Sequence, residues 1–155
     1  MHELPHTHSC FVCGESNKLG LQLRFRTNGQ IVETEFTPRV EHVGFQDVVH
    51  GGLVATVLDE IMVWACAVQT KKFGYCAEMT VRFQAPLRPG QIAKATAELV
   101  ANRKGKVLEA CAELRDEAGR LLASATGKYL PLKAPDVDRF FPELIGDVKF
   151  LRENC

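Results

Sequence analysis

The sequence predicts an α+β fold in which a curved antiparallel sheet wraps around one long helix. Two alternating apolar and polar segments precede the apolar run of residues 51–69, and four such segments follow it. That run contains only two charges, so it is expected to form a helix buried on nearly every side. Consecutive strands joined by short turns pair antiparallel, and strands on both sides of a single helix must fold around it.

Composition excludes several classes of protein. With 155 residues the chain is long enough for one domain with a substantial core. Lysine plus arginine equals aspartate plus glutamate at 19 each, which argues against nucleic acid or an anionic membrane as a partner. Residues 1–10 lack the layout of a secretory signal. We therefore expect the six cysteines to be reduced thiols in a cytoplasmic protein.

The first half of the chain begins with residues 1–18, an extension that contains a CxxC motif, and the main domain is expected over residues 19–132. Residues 19–27 alternate, as a half-buried strand does. Asn28-Gly29 is typical of a two-residue hairpin turn, and residues 30–37 return as the second strand. Residues 38–49 are loop-like. The run of residues 53–68 is shorter than the about 20 residues of a membrane span.

Four strands are expected after the helix, over residues 76–84, 91–102, 106–116 and 120–132. The second of them places mostly small side chains (Ala93, Ala95 and Ala97, with Leu99) on its core face, so the large side chains of Met62 and Trp64 are expected to pack there. One curved sheet leaves its edges open, which favours pairing with a second copy. The apolar spacing in residues 136–153 predicts a C-terminal amphipathic helix within residues 133–155.

The two acids of the central helix are the strongest functional signal. Asp59 and Glu60 have no polar face of their own, and no lysine or arginine stands three or four residues away. An isolated buried carboxylate is costly, so it usually has a partner, a raised pKa or a catalytic task. For Glu60 we favour a paired acid or a gap to solvent. For Asp59 we favour catalysis, with any partner coming from another segment or subunit.

A second signal is His50-Gly51-Gly52 at the start of the same helix. The first N–H groups of a helix lack partners and can bind an anion, and glycine lets a ligand approach them closely. His50 is interpreted mainly as a neutral ring that fixes the turn, with direct catalysis as the alternative. Donors and a carboxylate on one helix favour an acyl-transfer site.

The N-terminal pair Cys10 and Cys13, with His6 and His8 before it, has the spacing of metal ligands. A structural zinc site needs four ligands, and no second cysteine pair follows at zinc-finger spacing. We therefore favour a buried cysteine pair that closes a turn over a metal site or a redox site.

Two segments carry a family resemblance: VVHGGLVATVLDEIMVWA at residues 48–65 and AEMTVRFQAPLRPG at residues 77–90. They resemble the hotdog-fold acyl-CoA thioesterases, in particular the PaaI-like branch, and the resemblance covers residues 10–132. It implies a central helix wrapped by an antiparallel sheet, in protomers that pair their sheets edge to edge.

The resemblance also implies roles for individual residues. Asp59 corresponds to the nucleophile or general base, and the Gly51 N–H to the group that polarises the thioester carbonyl. The site then lies across the dimer, with Asp59 of one protomer facing the Gly51 turn of the other. Many relatives carry asparagine where this chain has Gly44, and several carry serine at Cys76. The remaining substrate-binding candidates are Gly52, Gln46 and Glu78, with His42 as a further supporting group.

The predicted function is a cytoplasmic acyl-CoA thioesterase that acts as a homodimer or a dimer of dimers. It needs no metal and no cofactor beyond the CoA of its substrate, and no nucleic acid or membrane partner is expected. A hotdog hydratase is less favoured, because no histidine follows residue 50 to form an acid–base pair. The alternative is a non-catalytic acyl-CoA or lipid-binding protein. The sequence leaves the acyl group open.

Overall fold

The computed structural model describes residues 1–152, in which an antiparallel sheet curves around the helix α1 (Gly51–Thr70). In chain order the strands are β1 (His2–Glu3), β2 (His6–Thr7), β3 (Arg26–Thr27), β4 (Ile31–Phe36), β5 (Val43–Phe45), β6 (Val48–Val49), β7 (Gly74–Phe83), β8 (Ala93–Arg103), β9 (Val107–Asp116), β10 (Leu121–Pro131) and β11 (Leu144–Ile145). Seven of them form the main sheet in the order β1-β3-β4-β8-β9-β10-β7, and the pairs β5–β6 and β2–β11 stand apart.

The core lies between α1 and the sheet. The helix packs against β4 and β7–β10, and β8 contributes most to this contact. As predicted, the core face of β8 is alanine-rich and buried, and Met62 and Trp64 of α1 are buried too. Full burial of one such side chain stabilises the fold by about 1.5–3 kcal/mol.

The apolar character of α1 is explained by this packing. By length and by a mean hydropathy of 1.6, α1 is also the one helix among the described residues that could cross a membrane. Core helices pass the same test, and more than half of the residues in its most apolar stretch are buried inside the fold. Its composition is therefore what a core helix requires.

The strands after the helix and the strand β4 lie where the alternation predicts them. The strand predicted over residues 19–27 was wrong over most of its length, because only Arg26–Thr27 joins the sheet. Leu23 and Phe25 are still buried. This segment is irregular, with a φ of 52° at Gln22, and its backbone bonds to the N-terminal extension: the Leu21 N–H donates to the Phe11 carbonyl at 2.8 Å.

The single helix expected near the C-terminus is broken into shorter elements. These are α2 (Ala134–Phe140), a 3₁₀ turn (Phe141–Glu143), β11 and α3 (Lys149–Arg152); residues 153–155 of the predicted helix lie outside the described residues. Pro142 has no N–H to continue the ladder of α2. Gly146 then takes a positive φ of 113°. Because β11 pairs with β2, this tail is joined to the N-terminal extension.

Candidate functional site

The Asp59 carboxylate lies on α1 facing the end of β10, and it has a partner there. The hydroxyl of Tyr129 donates to Asp59 Oδ1 at 2.9 Å and lies 3.3 Å from the Asp59 carbonyl oxygen. Tyr129 is completely buried and Asp59 is half-buried. Of the two sources that the sequence left open, another segment or another subunit, the first is found, since Tyr129 of the same chain binds one carboxylate oxygen.

Two features of β10 place the Tyr129 ring. The strand changes register with β7 between Lys128 and Tyr129, and such an irregularity re-aims the side chains beside it. Gly127 leaves room for the ring, because a Cβ atom there would lie 2.7 Å from it. Sequence reasoning missed Tyr129. The available signal was this glycine, two residues away on the same face of a strand.

The polar cluster around Asp59 also contains Cys76 of β7, which is paired with Tyr129 in the sheet. Cys76 is near enough to Asp59 and Tyr129 for both to affect the pKa of its thiol. Burial, and then the negative charge of Asp59, raise the pKa of the Tyr129 hydroxyl well above its usual value. The same two causes raise the pKa of Cys76. Both groups therefore stay protonated and can donate to the carboxylate.

The N-terminus of α1 is capped by His50. Its Nδ1 accepts the Gly52 N–H at 2.9 Å, so the Gly52 amide is already used and is not free for a ligand. Within residues 1–152 the Gly51 N–H has no hydrogen-bond partner. The Phe83 ring lies beside it, 3.4 Å from where a Cβ atom of residue 51 would stand. The first N–H of the helix is thus the donor that remains available.

Gly44 is placed directly against the cap. A Cβ atom at residue 44 would lie 3.0 Å from both Cα and Cδ2 of His50. Such a contact is tighter than side chains normally make, so an asparagine at this position requires His50 to shift. His50 can therefore approach residue 44 this closely because residue 44 has no side chain.

Asp59 and Gly51 stand eight residues apart on one helix. At 1.5 Å rise per residue they are separated by about 12 Å along the axis. One carbonyl group cannot contact both in the same chain.

Comparison with known families decides the class of this fold. The sequence model of the thioesterase superfamily matches residues 46–123, half of the chain and the part that carries α1 and Asp59. The chain belongs to the thioesterase superfamily. Its sheet wrapped around α1 is the predicted hotdog fold.

Solved structures of the thioesterase superfamily agree with this assignment. RHA08564, a thioesterase superfamily protein, has a TM-score of 0.74 and 22% identity over 79% of this chain, which spans 63% of that protein. The E. coli PaaI protein of the phenylacetic acid degradation operon has a TM-score of 0.66 and 19% identity, with 73% of this chain and 81% of PaaI covered. A Streptococcus mutans protein bound to acetyl-CoA has a TM-score of 0.66 and 12% identity, with 71% and 88% covered. No curated protein matches the chain.

Three further residues that the sequence predicts for the site of this thioesterase-superfamily chain lie outside the cluster around Asp59. Gln46 is exposed at the tip of the β5–β6 hairpin with a φ of 38°. Glu78 is exposed and pairs with Lys128 at 3.2 Å. Neither has a hydrogen bond or ion pair to Asp59 among the described residues. His42 is buried, its Nδ1 accepts the Arg39 N–H at 3.0 Å, and burial lowers its pKa.

Glu60 points away from this cluster, toward the N-terminal extension. Its Oε1 lies 3.3 Å from Cys13 Sγ and 3.8 Å from Cys10 Sγ. Burial raises the pKa of Glu60 to about 8. A hydrogen bond from Cys13 lowers the pKa of Cys10 to about 5, and the same bond raises that of Cys13. Glu60 is thus partnered, but by thiols that the sequence pattern did not identify.

Proposed function

We propose that this chain is an acyl-CoA thioesterase that hydrolyses the thioester bond of acyl-CoA to a free acid and CoA. The observation that carries the proposal is the Asp59 carboxylate, held by Tyr129 on the central helix of a thioesterase-superfamily fold. The available Gly51 N–H at the start of that helix is the second part of the site. The Streptococcus mutans relative bound to acetyl-CoA supports CoA thioesters as the ligand class.

The chemistry assigned to these groups is an acyl transfer to water. Asp59 takes a proton from water as general base, and the oxygen attacks the thioester carbonyl carbon. Attack by the carboxylate itself, followed by hydrolysis of the resulting anhydride, is the alternative. The carbonyl oxygen becomes negative and accepts the Gly51 N–H at the positive end of the helix. The C–S bond then breaks, and CoA leaves as a thiol after receiving the proton that Asp59 took from water.

The proposed site forms between two protomers. The strand β7 lies at the edge of the sheet with one row of N–H and C=O groups unpaired in the described chain, and Tyr75 and Phe83 on it are more than half exposed. An edge strand of this length favours pairing with a second copy. Two copies joined there would bring Asp59 of one protomer toward Gly51 of the other. A site shared in this way is needed because the two groups stand about 12 Å apart within one helix, too far to contact the same carbonyl group.

Other groups complete the proposal. Cys76 lies beside Asp59 and is assigned to the substrate-facing wall, together with Gly44, which lies against the His50 cap. The backbone of Gly52 is assigned to the same wall. Gln46 and Glu78 are assigned to contacts with the parts of a long substrate that lie farthest from the thioester. The reaction needs no metal. A cytoplasmic location stays a prediction, and the five cysteines described as free thiols are consistent with it.

The test is release of free CoA thiol from a panel of acyl-CoA substrates that differ in chain length and aromaticity. We expect turnover by the wild-type protein and a loss of about 10²–10⁴-fold in kcat for Asp59→Asn, the range for a removed general base. Asp138→Asn, which changes an exposed carboxylate of α2, is the matched control. Full activity of a folded Asp59→Asn variant would rule out the assignment.

One observation favours a second function, acyl-CoA binding without hydrolysis. Gly44 stands where many relatives of the PaaI-like branch carry asparagine, and its contact with His50 leaves no room for that side chain without a shift. A binding protein would retain the groove and lose the group that orients the thioester. Saturable binding of acyl-CoA with no thiol release from any substrate of the panel would establish this function instead.

A further inference from the structure

A second cluster of reactive side chains lies outside the proposed thioesterase site. The sulfurs of Cys10 and Cys13 and a carboxylate oxygen of Glu60 all lie within 4.8 Å of one another. Cys13 is fully buried, and Cys10 and Glu60 are half-buried. The cluster joins the N-terminal extension to α1, 47 residues further along the chain.

No cationic side chain of the described residues forms an ion pair with this cluster. Among the ion pairs of residues 1–152 none includes Glu60, and the two thiols are its hydrogen-bond partners there. An enclosed carboxylate without a cation is costly. A divalent cation that displaces the ligand protons would bind two thiolates and one carboxylate here, and its charge would compensate most of theirs.

The turn that carries the two sulfurs is built to hold them in place. The Gly14 N–H donates to the Cys10 carbonyl at 2.8 Å, and the Val12 N–H lies 3.3 Å from Cys10 Sγ. A Cβ atom at Gly14 would lie 2.3 Å from the Cys10 carbonyl oxygen. Only glycine therefore allows this tight turn, which directs the Val12 N–H at the Cys10 sulfur.

A further set of contacts supports the same turn from outside. The Thr7 hydroxyl accepts the Cys10 N–H at 3.1 Å and lies 3.6 Å from Cys13 Sγ, and Arg24 donates to the Cys13 carbonyl at 3.1 Å. In metal sites such outer contacts orient the ligands and are needed for full affinity. His6 is paired with Glu15 at 2.9 Å and is not part of the cluster.

We propose that Cys10, Cys13 and Glu60 bind one Zn²⁺ ion. Thiolate sulfur and carboxylate oxygen are both ordinary zinc ligands, whereas Mg²⁺ and Ca²⁺ prefer oxygen alone. These three protein ligands and one water molecule make up the four ligands that a tetrahedral zinc site needs. The ion fastens the N-terminal extension to α1 and is independent of the reaction proposed at Asp59.

The direct test is zinc content and zinc affinity of the full chain, purified under reducing conditions without chelators. We expect one Zn²⁺ per chain, and the thiolate-to-metal charge-transfer absorption after replacement by Co²⁺. Cys13→Ser and Glu60→Gln should lose stoichiometric zinc. Thr7→Val keeps all three ligands and should weaken zinc binding by about 10–100-fold.

Cys111→Ser is the matched control, because the Cys111 thiol also contacts a glutamate, Glu98, at 3.8 Å. It should retain zinc at the wild-type level. The proposal is overturned if the reduced wild-type chain neither contains nor binds zinc stoichiometrically. It is equally overturned if Cys111→Ser loses zinc as Cys13→Ser does, or if Cys10 and Cys13 are recovered as a disulfide under these conditions.

Discussion

Tyr129 of β10 donates the hydrogen bond that holds the proposed catalytic carboxylate, Asp59, in position. It lies 70 residues after Asp59, and its hydroxyl holds Oδ1 so that the other carboxylate oxygen is left for water or substrate. Helical periodicity alone identifies Asp59, because that pattern is local. Its partner could not be predicted in the same way, since a strand pattern states which face is buried but not which helix residue lies opposite.

Tyr129→Phe tests this positioning role. The change keeps the ring and removes only the hydroxyl, so the core stays filled and Asp59 loses its donor. A hydrogen bond to a charged group is worth about 1.5–3 kcal/mol, and we expect kcat to fall by roughly 10–100-fold with KM nearly unchanged. Steady-state kinetics with one acyl-CoA substrate measure kcat and KM separately. A wild-type kcat in the folded variant would mean that the Tyr129 hydroxyl has a structural role and does not position Asp59 for the reaction.

His42 should make stability depend on pH. Burial lowers its pKa in the folded chain below the ordinary value of 6.5, whereas the unfolded chain binds the proton normally. The unfolded state therefore binds more protons as the pH falls below about 6.5, and the free energy of unfolding decreases there. Urea denaturation from pH 5 to 8 should show a shallower decline for His42→Gln than for the wild type. Parallel pH profiles of the two proteins would contradict this origin.

At the scale of elements, α1 and the strands β4 and β7–β10 follow from the sequence. Their apolar periodicity is long, and their turns contain glycine, so local information is sufficient. Residues 19–27 show the limit of that information. Their alternation correctly predicts burial, but their hydrogen bonds go to Phe11 and Val12 of the N-terminal extension, a partner that periodicity does not specify.

The N-terminus of α1 allows the oxyanion donor to be removed by itself. Gly51 is the first helical residue, where proline is well tolerated, and His50 already has the extended conformation that proline requires before it, with φ −57° and ψ 126°. Gly51→Pro removes the N–H, and Gly51→Ala keeps it while adding a Cβ atom near Phe83. We expect Gly51→Pro to lower kcat by about 10²–10³-fold, as loss of one oxyanion donor does.

Gly51→Ala is the control for the added bulk and should lose far less activity. Circular dichroism should show the same helix content in both variants. Equal losses in the two variants would assign the effect to the contact with Phe83 rather than to the N–H.

At the scale of the whole molecule, the described chain does not bring the two parts of the proposed site together. Asp59 faces β10 and β7, the Gly51 N–H lies about 12 Å away along α1, and the long edge strand β7 is open to a partner. The fold class was predictable from the order of the elements. In the proposed function a second copy completes the site, and the open edge of β7 and the family resemblance support this part of the proposal.

A mixed dimer of Asp59→Asn and Gly51→Pro protomers tests the central claim most directly. If each site uses Asp59 of one protomer and Gly51 of the other, the mixed dimer contains one intact site and one doubly defective site. Co-expression with two different affinity tags isolates it, and release of free CoA measures its activity. We predict about half of the wild-type activity per dimer, from two parents that are each nearly inactive. A mixed dimer as inactive as its parents would contradict a site shared between protomers.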